Sequence, residues 1–262
     1  HLGGSDVGAA GGLELAKRDG ADMQEMALAG LQLKRGSLRM ANLRGASLAG
    51  ANLEGANLEG AEMKSVDLAG ATLAGANLVR ANLSHCDLRQ GNLADAQVDD
   101  ARIVQAQLGG VNADRAQLDR VDLADAVLEG ASLIGARFVD ANLRGANLET
   151  VKLPGATLER ANLLGVNLAR GDLTGAQCRD AAFMRADLTD ANLTDARLEG
   201  VDFRRARLKG AVLDGADLWR ANLAGADLSG ASVVGATMKG ALNLKEANFE
   251  GANLRGAVLD GV

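Results

Sequence analysis

The sequence feature that most constrains the fold is a five-residue word that repeats through most of the chain. In ANLRGASLAGANLEGANLEG, residues 41–60, the word occurs four times as alanine, a small polar residue, leucine, a variable residue and glycine. Neither the helical period of 3.6 residues nor the strand period of 2 divides five, so neither an amphipathic helix nor a regular strand accounts for the spacing. The register of the word is therefore the first guide to the structure.

The register holds without an insertion from the word centred on Met23 to the word centred on Met238, which is 44 words. Leucine fills 33 of the central positions, and alanine fills 32 of the positions two residues before a centre. No charged residue enters either column, although charged residues make up 24% of the chain. Because charged side chains are rarely buried without a partner, both columns are predicted to face a dry interior, and the other three columns face water or a turn.

The last position of the word indicates a tight turn. Glycine is common there, and a type II turn requires a positive φ at its second central residue. The single proline of the chain fits this interpretation, because LPGA at residues 153–156 places Pro154 and Gly155 at the two central positions of such a turn. Each word is therefore predicted to be a short extended segment followed by a type II turn.

The word resembles that of the pentapeptide-repeat family over about nine-tenths of the chain. The resemblance implies an all-β fold, a right-handed quadrilateral β-helix in which four words form one square coil of 20 residues. The chain would then contain about 12 coils in a rod roughly 55 Å long, given the spacing of paired strands. The resemblance also implies a core of stacked side chains from centres such as Leu43, Leu53 and Leu58, with Phe183 and Phe203 stacked one coil apart.

The repeat sets the expected domain bounds. Residues 1–20 lack the word and are interpreted as a linker or a short N-terminal cap, and residues 21–262 as the β-helix. Near residues 241–243 the phase slips by one residue, which predicts a local bulge. Beyond the slip, the expected centres are Leu244, Phe249, Leu254 and Leu259.

Charge and hydropathy argue against several classes of protein. The 34 acidic and 28 basic residues are well mixed, with a net charge of -6, which argues against direct binding of nucleic acid. No apolar run approaches the roughly 20 residues that span a bilayer, so no membrane span is expected. The chain begins at His1 without a visible signal peptide, and we interpret it as a piece of a longer polypeptide that is cytoplasmic, or secreted if it is an effector.

The sequence gives little support to catalysis. His85 beside Cys86 could be a metal-ligand pair or mark a reactive thiol, but Cys86 falls in the inward alanine column and no second ligand pair stands at zinc spacing. Cys178 falls in the leucine column, where a thiol is inert, and on the family geometry it lies too far from Cys86 to form a disulfide. We therefore predict no enzyme activity, no cofactor and no metal site.

Two features could mark a contact with another molecule. Trp219 is the only tryptophan and stands at an outward position close in sequence to Arg220, Arg204 and Arg205, a composition typical of interface hot spots. A single surface aromatic side chain is the alternative interpretation. The C-terminal coil is the second feature, since an uncovered solenoid end exposes core and unpaired backbone, and it predicts an end-to-end homodimer or a docking site.

These features favour a non-catalytic rigid rod that acts as a protein–protein interaction or spacer module in a larger bacterial protein. Family members occur in secretion-system accessory proteins and in effectors, so the resemblance extends to those roles. The alternative is a DNA mimic that binds DNA gyrase, a topoisomerase, as some family members do. A mimic needs dense negative charge, whereas the outward positions of the four predicted faces sum to 0, -2, -3 and +1.

Overall fold

The structure is a computed structural model that describes residues 18–259. The chain divides into two units, His1–Ser132 and Leu133–Val262, and the described part of each is built in the same way. The expectation of a linker or cap falls mainly on residues 1–17, which lie outside the described residues. Arg18 and Gly20 already belong to the repeat, because their N–H groups donate to the carbonyls of Ser37 and Arg39 at 2.9 and 2.8 Å.

Both units wind as a β-helix in which one residue of each word forms a parallel bridge with the residue 20 positions further on. Parallel bridges run from Asp22↔Asn42 to Asn112↔Ser132 in the first unit and from Arg137↔Thr157 to Asp217↔Thr237 in the second. The bridging residue is the second residue of each word, so four words separate partners. Beyond the slip the interval becomes 21 residues, as in Asp227↔Asn248.

The expected all-β class is realised through single-residue bridges, and the described residues contain no extended strand or sheet. The turn begins two residues after each bridge, which leaves no length for a longer strand. Two hydrogen bonds flank each bridge: Leu43 N–H donates to Glu62 C=O at 2.8 Å, and Glu62 N–H donates to Ala41 C=O at 2.9 Å. Repetition of this pair of bonds satisfies the backbone of successive windings.

A tight turn closes each word. The N–H of Ala156 donates to the carbonyl of Leu153 at 3.0 Å, and Gly155 between them has a φ of +64°. Many words carry a non-glycine residue with positive φ at this last position, which we call the turn position. A local contact favours the turn, since the side chain of the second residue accepts a hydrogen bond from the fourth, as Asn52 Oδ1 does from Glu54 N–H at 3.2 Å.

The two apolar columns form the core. Every centre from Met23 to Met238 is buried, and the column two residues before the centre is buried from Met26 to Ala236. Ala21 is half-exposed and lies in the first described winding. No helix within residues 18–259 has the length and apolar character needed to cross a membrane.

The slip takes a form that differs from the expected bulge. Asn243 adopts a left-handed conformation with φ of +60°, and Leu244–Glu246 form a 3-10 helix, the one helix in the described residues. Leu223 N–H donates to Leu242 C=O, so Asn243 occupies the position that a centre would have in the original register. Leu244, the expected centre, instead starts the helix. The extra residue is thus absorbed by a turn that is one residue longer than the others.

Candidate functional site

The indole of Trp219 is 39% exposed and carries a cation on its face. The guanidinium carbon of Arg220 lies 4.2 Å from the centroid of the ring, within the range of a cation–π contact. The backbone N–H of Trp219 donates to Asp217 Oδ1 at 3.0 Å, and this hydrogen bond fixes the backbone of Trp219. The structure therefore presents Trp219 and Arg220 as one exposed aromatic and cationic pair.

Arg204 and Arg205 lie together in a surface pocket of about 450 Å³. Arg204 donates from Nε and Nη2 to both carboxylate oxygens of Asp202, and this contact lowers the pKa of Asp202 below its usual value. Arg205 occupies a turn position with φ of +57°. The remaining lining residues are Met184, Arg185, Ala224, Gly225 and Glu246.

Neither Trp219 nor Arg220 lines this pocket, so the four residues singled out in the sequence form two pairs with separate surroundings. Sequence reasoning missed Arg185, which lines the pocket. The 20-residue period of the repeat could have identified it, because Arg185 precedes Arg205 by 20 residues and occupies the same turn position one winding earlier.

The other predicted residues lie in the core or at a turn. Leu43, Leu53 and Leu58 are fully buried. The rings of Phe183 and Phe203 are in contact one winding apart. These residues position the surface without taking part in it.

Carboxylates and guanidinium groups alternate at one series of turns. In the first unit Arg120 donates to both carboxylate oxygens of Asp100 at 2.7 and 2.8 Å. In the second unit Arg160 makes the same paired contact with Asp140. The hydrogen bond from Arg120 lowers the pKa of Asp100, and its charge acts in the same direction. Acidic side chains at these positions are thus neutralised by partners, unlike the phosphates of DNA.

Both cysteines are buried free thiols. Burial raises the pKa of Cys86 and of Cys178 to about 12, which removes thiolate at neutral pH. Within residues 18–259, no three histidine, cysteine or acidic side chains are grouped so that they could hold a metal ion.

The last described winding exposes apolar side chains. Leu242, Val258 and Leu259 are 51%, 41% and 43% exposed. The expected centres Leu244, Phe249 and Leu254 are half-exposed, because no described winding follows them.

This architecture, a β-helix of five-residue words with a filled core, defines a class of repeat protein. The family model for pentapeptide repeats, in 8 copies, matches segments that together cover residues 28–240 and 243–262. The chain therefore belongs to the pentapeptide repeat family. Ala241 and Leu242, the two residues between these matched ranges, lie at the slip.

Solved structures show the same fold. HetL, a pentapeptide repeat protein involved in heterocyst differentiation regulation from the cyanobacterium Nostoc sp. strain PCC 7120, is 26% identical with a TM-score of 0.65, over 92% of this chain and 87% of HetL. QnrB1, a plasmid-mediated fluoroquinolone resistance protein, is 15% identical with a TM-score of 0.54, over 79% of this chain and 88% of QnrB1. A comparison with curated protein sequences finds no match.

Proposed function

We propose that the chain is a non-catalytic, rigid module for protein–protein interaction or spacing within a larger bacterial protein. The observation that carries the proposal is the unbroken burial of the centres from Met23 to Met238, which fills the core with leucine and leaves surface side chains as the means of recognition. The similarity to HetL, which is involved in regulation, is consistent with such a role. A place in a secretion-system accessory protein or an effector remains part of this proposal.

The rigidity of the module follows from its proposed geometry. We infer a right-handed, quadrilateral β-helix of about 12 coils, because four words and four tight turns separate bridge partners. A four-sided winding with side chains packed at its centre has few internal degrees of freedom, and each winding stabilises its neighbours. Such a module holds its surface residues at fixed spacings.

The proposed contact surface includes the exposed pair Trp219 and Arg220. Tryptophan and arginine are enriched in residues that contribute most to binding, and Trp219 is already ordered by its contact with Arg220. A partner that covers the indole would bury apolar area and would also meet the guanidinium of Arg220, which lies over the ring. Arg204 and Arg205, which line the pocket, belong to the proposed surface as well; Arg205 supplies its positive charge, because Arg204 is paired with Asp202.

Comparative affinity capture tests this surface. Wild-type protein, a Trp219→Ala/Arg220→Gln variant and an Arg39→Gln control in the first unit would be immobilised and exposed to extract from the source organism. The proposal expects a protein that wild type and the control retain and the double variant loses, with the difference reproduced by a Kd measured on the purified partner. If no retained protein distinguishes the double variant from the control, the Trp219 surface is not the contact.

The exposed C-terminal winding supports a second contact, with another copy of this chain. Leu242, Val258 and Leu259 would be covered by the same residues of a partner. Backbone groups of the last described winding that have no partner among residues 18–259 could pair across a two-fold axis. Light scattering would give a dimer mass that a Leu242→Lys/Val258→Lys variant lowers to that of a monomer. A monomeric wild-type chain would contradict end-to-end association.

A DNA mimic directed at gyrase is the second candidate, and the fold likeness to QnrB1 is the observation that favours it. The ion pairs argue against a DNA mimic, because arginine neutralises Asp95, Asp100 and Asp140 and so reduces the negative charge of the surface. A supercoiling assay with purified gyrase distinguishes the candidates. Inhibition at micromolar protein would support the mimic, and unchanged supercoiling would leave the interaction module.

A further inference from the structure

Charged residues at the turn position alternate in sign from one winding to the next. Within each unit, where a charged turn residue is followed 20 positions later by another, the two signs are opposite in every case but one. The opposite pairs are Arg80–Asp100, Asp100–Arg120, Asp95–Arg115, Asp140–Arg160, Arg160–Asp180 and Arg170–Asp190. The exception is Arg185 followed by Arg205.

Arg185 and Arg205 thus stand in the same column on successive windings, about 4.8 Å apart at the backbone. Arg185 N–H donates to Arg204 C=O at 3.0 Å, which fixes the two windings directly against each other. Neither guanidinium has an ion-pair partner among the residues described in the second unit. Asp202, an acidic neighbour in sequence, is engaged by Arg204. Two adjacent like charges raise the electrostatic energy of the folded chain unless an anion lies between them.

The same column contains a backbone donor without an acceptor. At every turn position from Gly135 to Gly235 the N–H donates to a carbonyl of the next winding, except at Gly225. Arg205 N–H, one winding earlier, donates to Ala224 C=O at 2.9 Å. No backbone carbonyl in the described residues accepts a hydrogen bond from Gly225 N–H, and Gly225 lines the pocket together with Arg185 and Arg205.

The slip explains why Gly225 lacks an acceptor. In the regular repeat its N–H would face the carbonyl 19 positions further on, which belongs to Leu244. The 3-10 helix turns that carbonyl toward Ala247, whose N–H donates to it at 3.2 Å. Within residues 18–259, the one irregularity of the winding therefore frees the N–H of Gly225 in the column that contains the like-charged pair Arg185 and Arg205.

We propose that this pocket binds a phosphate group, held between the guanidinium groups of Arg185 and Arg205 and by the N–H of Gly225. Two positive charges match a dianionic phosphate monoester better than a single carboxylate, and guanidinium groups bind phosphate oxygens in a paired geometry. The side-chain stem of Arg205 lies against Gly225, with Cγ 3.6 Å from the position that a Cβ of Gly225 would take. The absence of a side chain on Gly225 leaves its N–H accessible.

Glu246 is the acidic residue that lines the pocket, and it carries the opposing charge. Its carboxylate forms no ion pair with Arg185 or Arg205 in the described residues, so it does not replace the anion. It would instead weaken the binding of a dianion by like-charge repulsion. The site therefore has two residues whose removal weakens binding and one whose removal strengthens it, and Trp219 and Arg220 of the proposed protein–protein contact do not line it.

Titration of the full chain with inorganic phosphate at pH 7.5 and constant ionic strength, followed by amide NMR, tests the site. The proposal expects a saturable shift of the Gly225 amide signal and no shift of Gly215 or Gly235, whose N–H groups have acceptors. Arg185→Gln and Arg205→Gln would each raise the Kd by about tenfold or more, since each removes charge-assisted hydrogen bonds. Glutamine fits this conformation, because Gln90 and Gln105 adopt it at φ of +58° and +55°.

Arg144→Gln, an exposed arginine outside the pocket, is the matched control and leaves the Kd unchanged, whereas Glu246→Gln lowers it. A Gly-phosphoserine-Gly peptide distinguishes the source of the phosphate. Tighter binding than inorganic phosphate assigns the group to a partner segment, and equal binding assigns it to a free phosphate compound. An unmoved Gly225 signal, or a shift that survives in the Arg185→Gln/Arg205→Gln variant, overturns the proposal.

Discussion

The rings of Phe183 and Phe203 lie one winding apart, with centroids 5.3 Å from each other and planes inclined by 35°. Both side chains are fully buried at centres that leucine usually occupies. The contact shows that the core accepts a larger side chain than leucine at two successive windings. It couples the two windings more strongly than leucine on leucine would, since paired rings add to the effect of burial.

Phe203→Ala should therefore lower the free energy of unfolding by about 3–5 kcal/mol, because it leaves a cavity in a core that cannot close around it. Urea unfolding followed by circular dichroism measures the loss. Phe203→Leu is the control and should cost clearly less, since Leu223 already fills the equivalent centre in the next winding. In a double-mutant cycle with Phe183→Leu, a coupling energy near zero would contradict the ring contact, for which about 0.5–1.5 kcal/mol is expected.

Alanine substitutions at two turn glycines distinguish the effect of backbone strain from that of steric crowding. Gly200 and Gly230 have φ of +68° and +67°, so alanine is strained by about 1 kcal/mol at either. A Cβ at Gly200 would also collide with Oδ1 of Asp180 on the preceding winding, whereas the space at Gly230 is open. Gly200→Ala is thus expected to lower the unfolding temperature more than Gly230→Ala.

A second substitution tests whether Asp180 causes the difference in unfolding temperature between Gly200→Ala and Gly230→Ala. Asp180→Ser removes the colliding carboxylate and should bring the cost of Gly200→Ala down to that of Gly230→Ala. Equal unfolding temperatures for the two single glycine variants would mean that Asp180 does not restrict position 200.

Much of the fold could be predicted from the sequence because the word leaves a clear signature in every winding. The absence of charge from two columns identified the buried centres, and Pro154 with Gly155 located a turn. The length of the segments was harder to anticipate. An all-β chain suggests strands, but a turn two residues after each bridge permits only isolated bridges.

The candidate site was less predictable, because it depends on which side chains meet across windings. The sequence analysis grouped Trp219 with Arg204 and Arg205 because these residues are close in the chain. In the structure they lie in two separate environments. Arg185 is far from Arg205 in sequence and adjacent in the winding. The consequence of the slip for Gly225 could not be read from the sequence either, since it depends on where the carbonyl of Leu244 points.

The paired carboxylates predict how stability depends on pH. Arg120 lowers the pKa of Asp100 and Arg115 lowers that of Asp95, so folded protein binds protons less readily there than unfolded protein does. The stabilisation is present above the unfolded pKa of about 4 and is lost as pH falls through the lower folded values. The free energy of unfolding should therefore decline between about pH 5 and pH 2.

Carboxyl NMR titration assigns this effect to residues. In wild type, Asp100 should titrate below the usual aspartate range, and Arg120→Gln should move its midpoint upward while leaving Asp95 in place. A normal midpoint for Asp100 in wild type would show that the Arg120 contact does not persist in solution.

The buried thiols predict resistance to alkylation. With pKa values raised to about 12 by burial, Cys86 and Cys178 contain on the order of 0.01% thiolate at pH 8. Iodoacetamide should leave both unmodified in the folded chain and modify both after unfolding in urea, as measured by intact mass. Rapid modification of either thiol without denaturant would place that cysteine outside the core.

Deletion of Asn243 is expected to restore the regular winding and to engage the N–H of Gly225 in a backbone hydrogen bond. Without this residue the sequence reads ALLKE followed by ANFEG, two complete words in the original register. Leu244 would become a centre next to Leu223, and the carbonyl of Lys245 would face the N–H of Gly225. Because no described winding packs on the one that contains Asn243, the deletion should change stability by less than about 1 kcal/mol.

Amide hydrogen exchange distinguishes the repaired winding from the native one. In wild type, Gly225 N–H should exchange much faster than Gly215 and Gly235, whose N–H groups donate at 2.9 and 3.0 Å. In the deletion variant its exchange should slow to theirs, and the phosphate-induced shift of its signal should disappear, since a donor engaged by a carbonyl is no longer free for an anion. Slow exchange of Gly225 in wild type would mean that its hydrogen bond is intact and that the slip does not open the pocket.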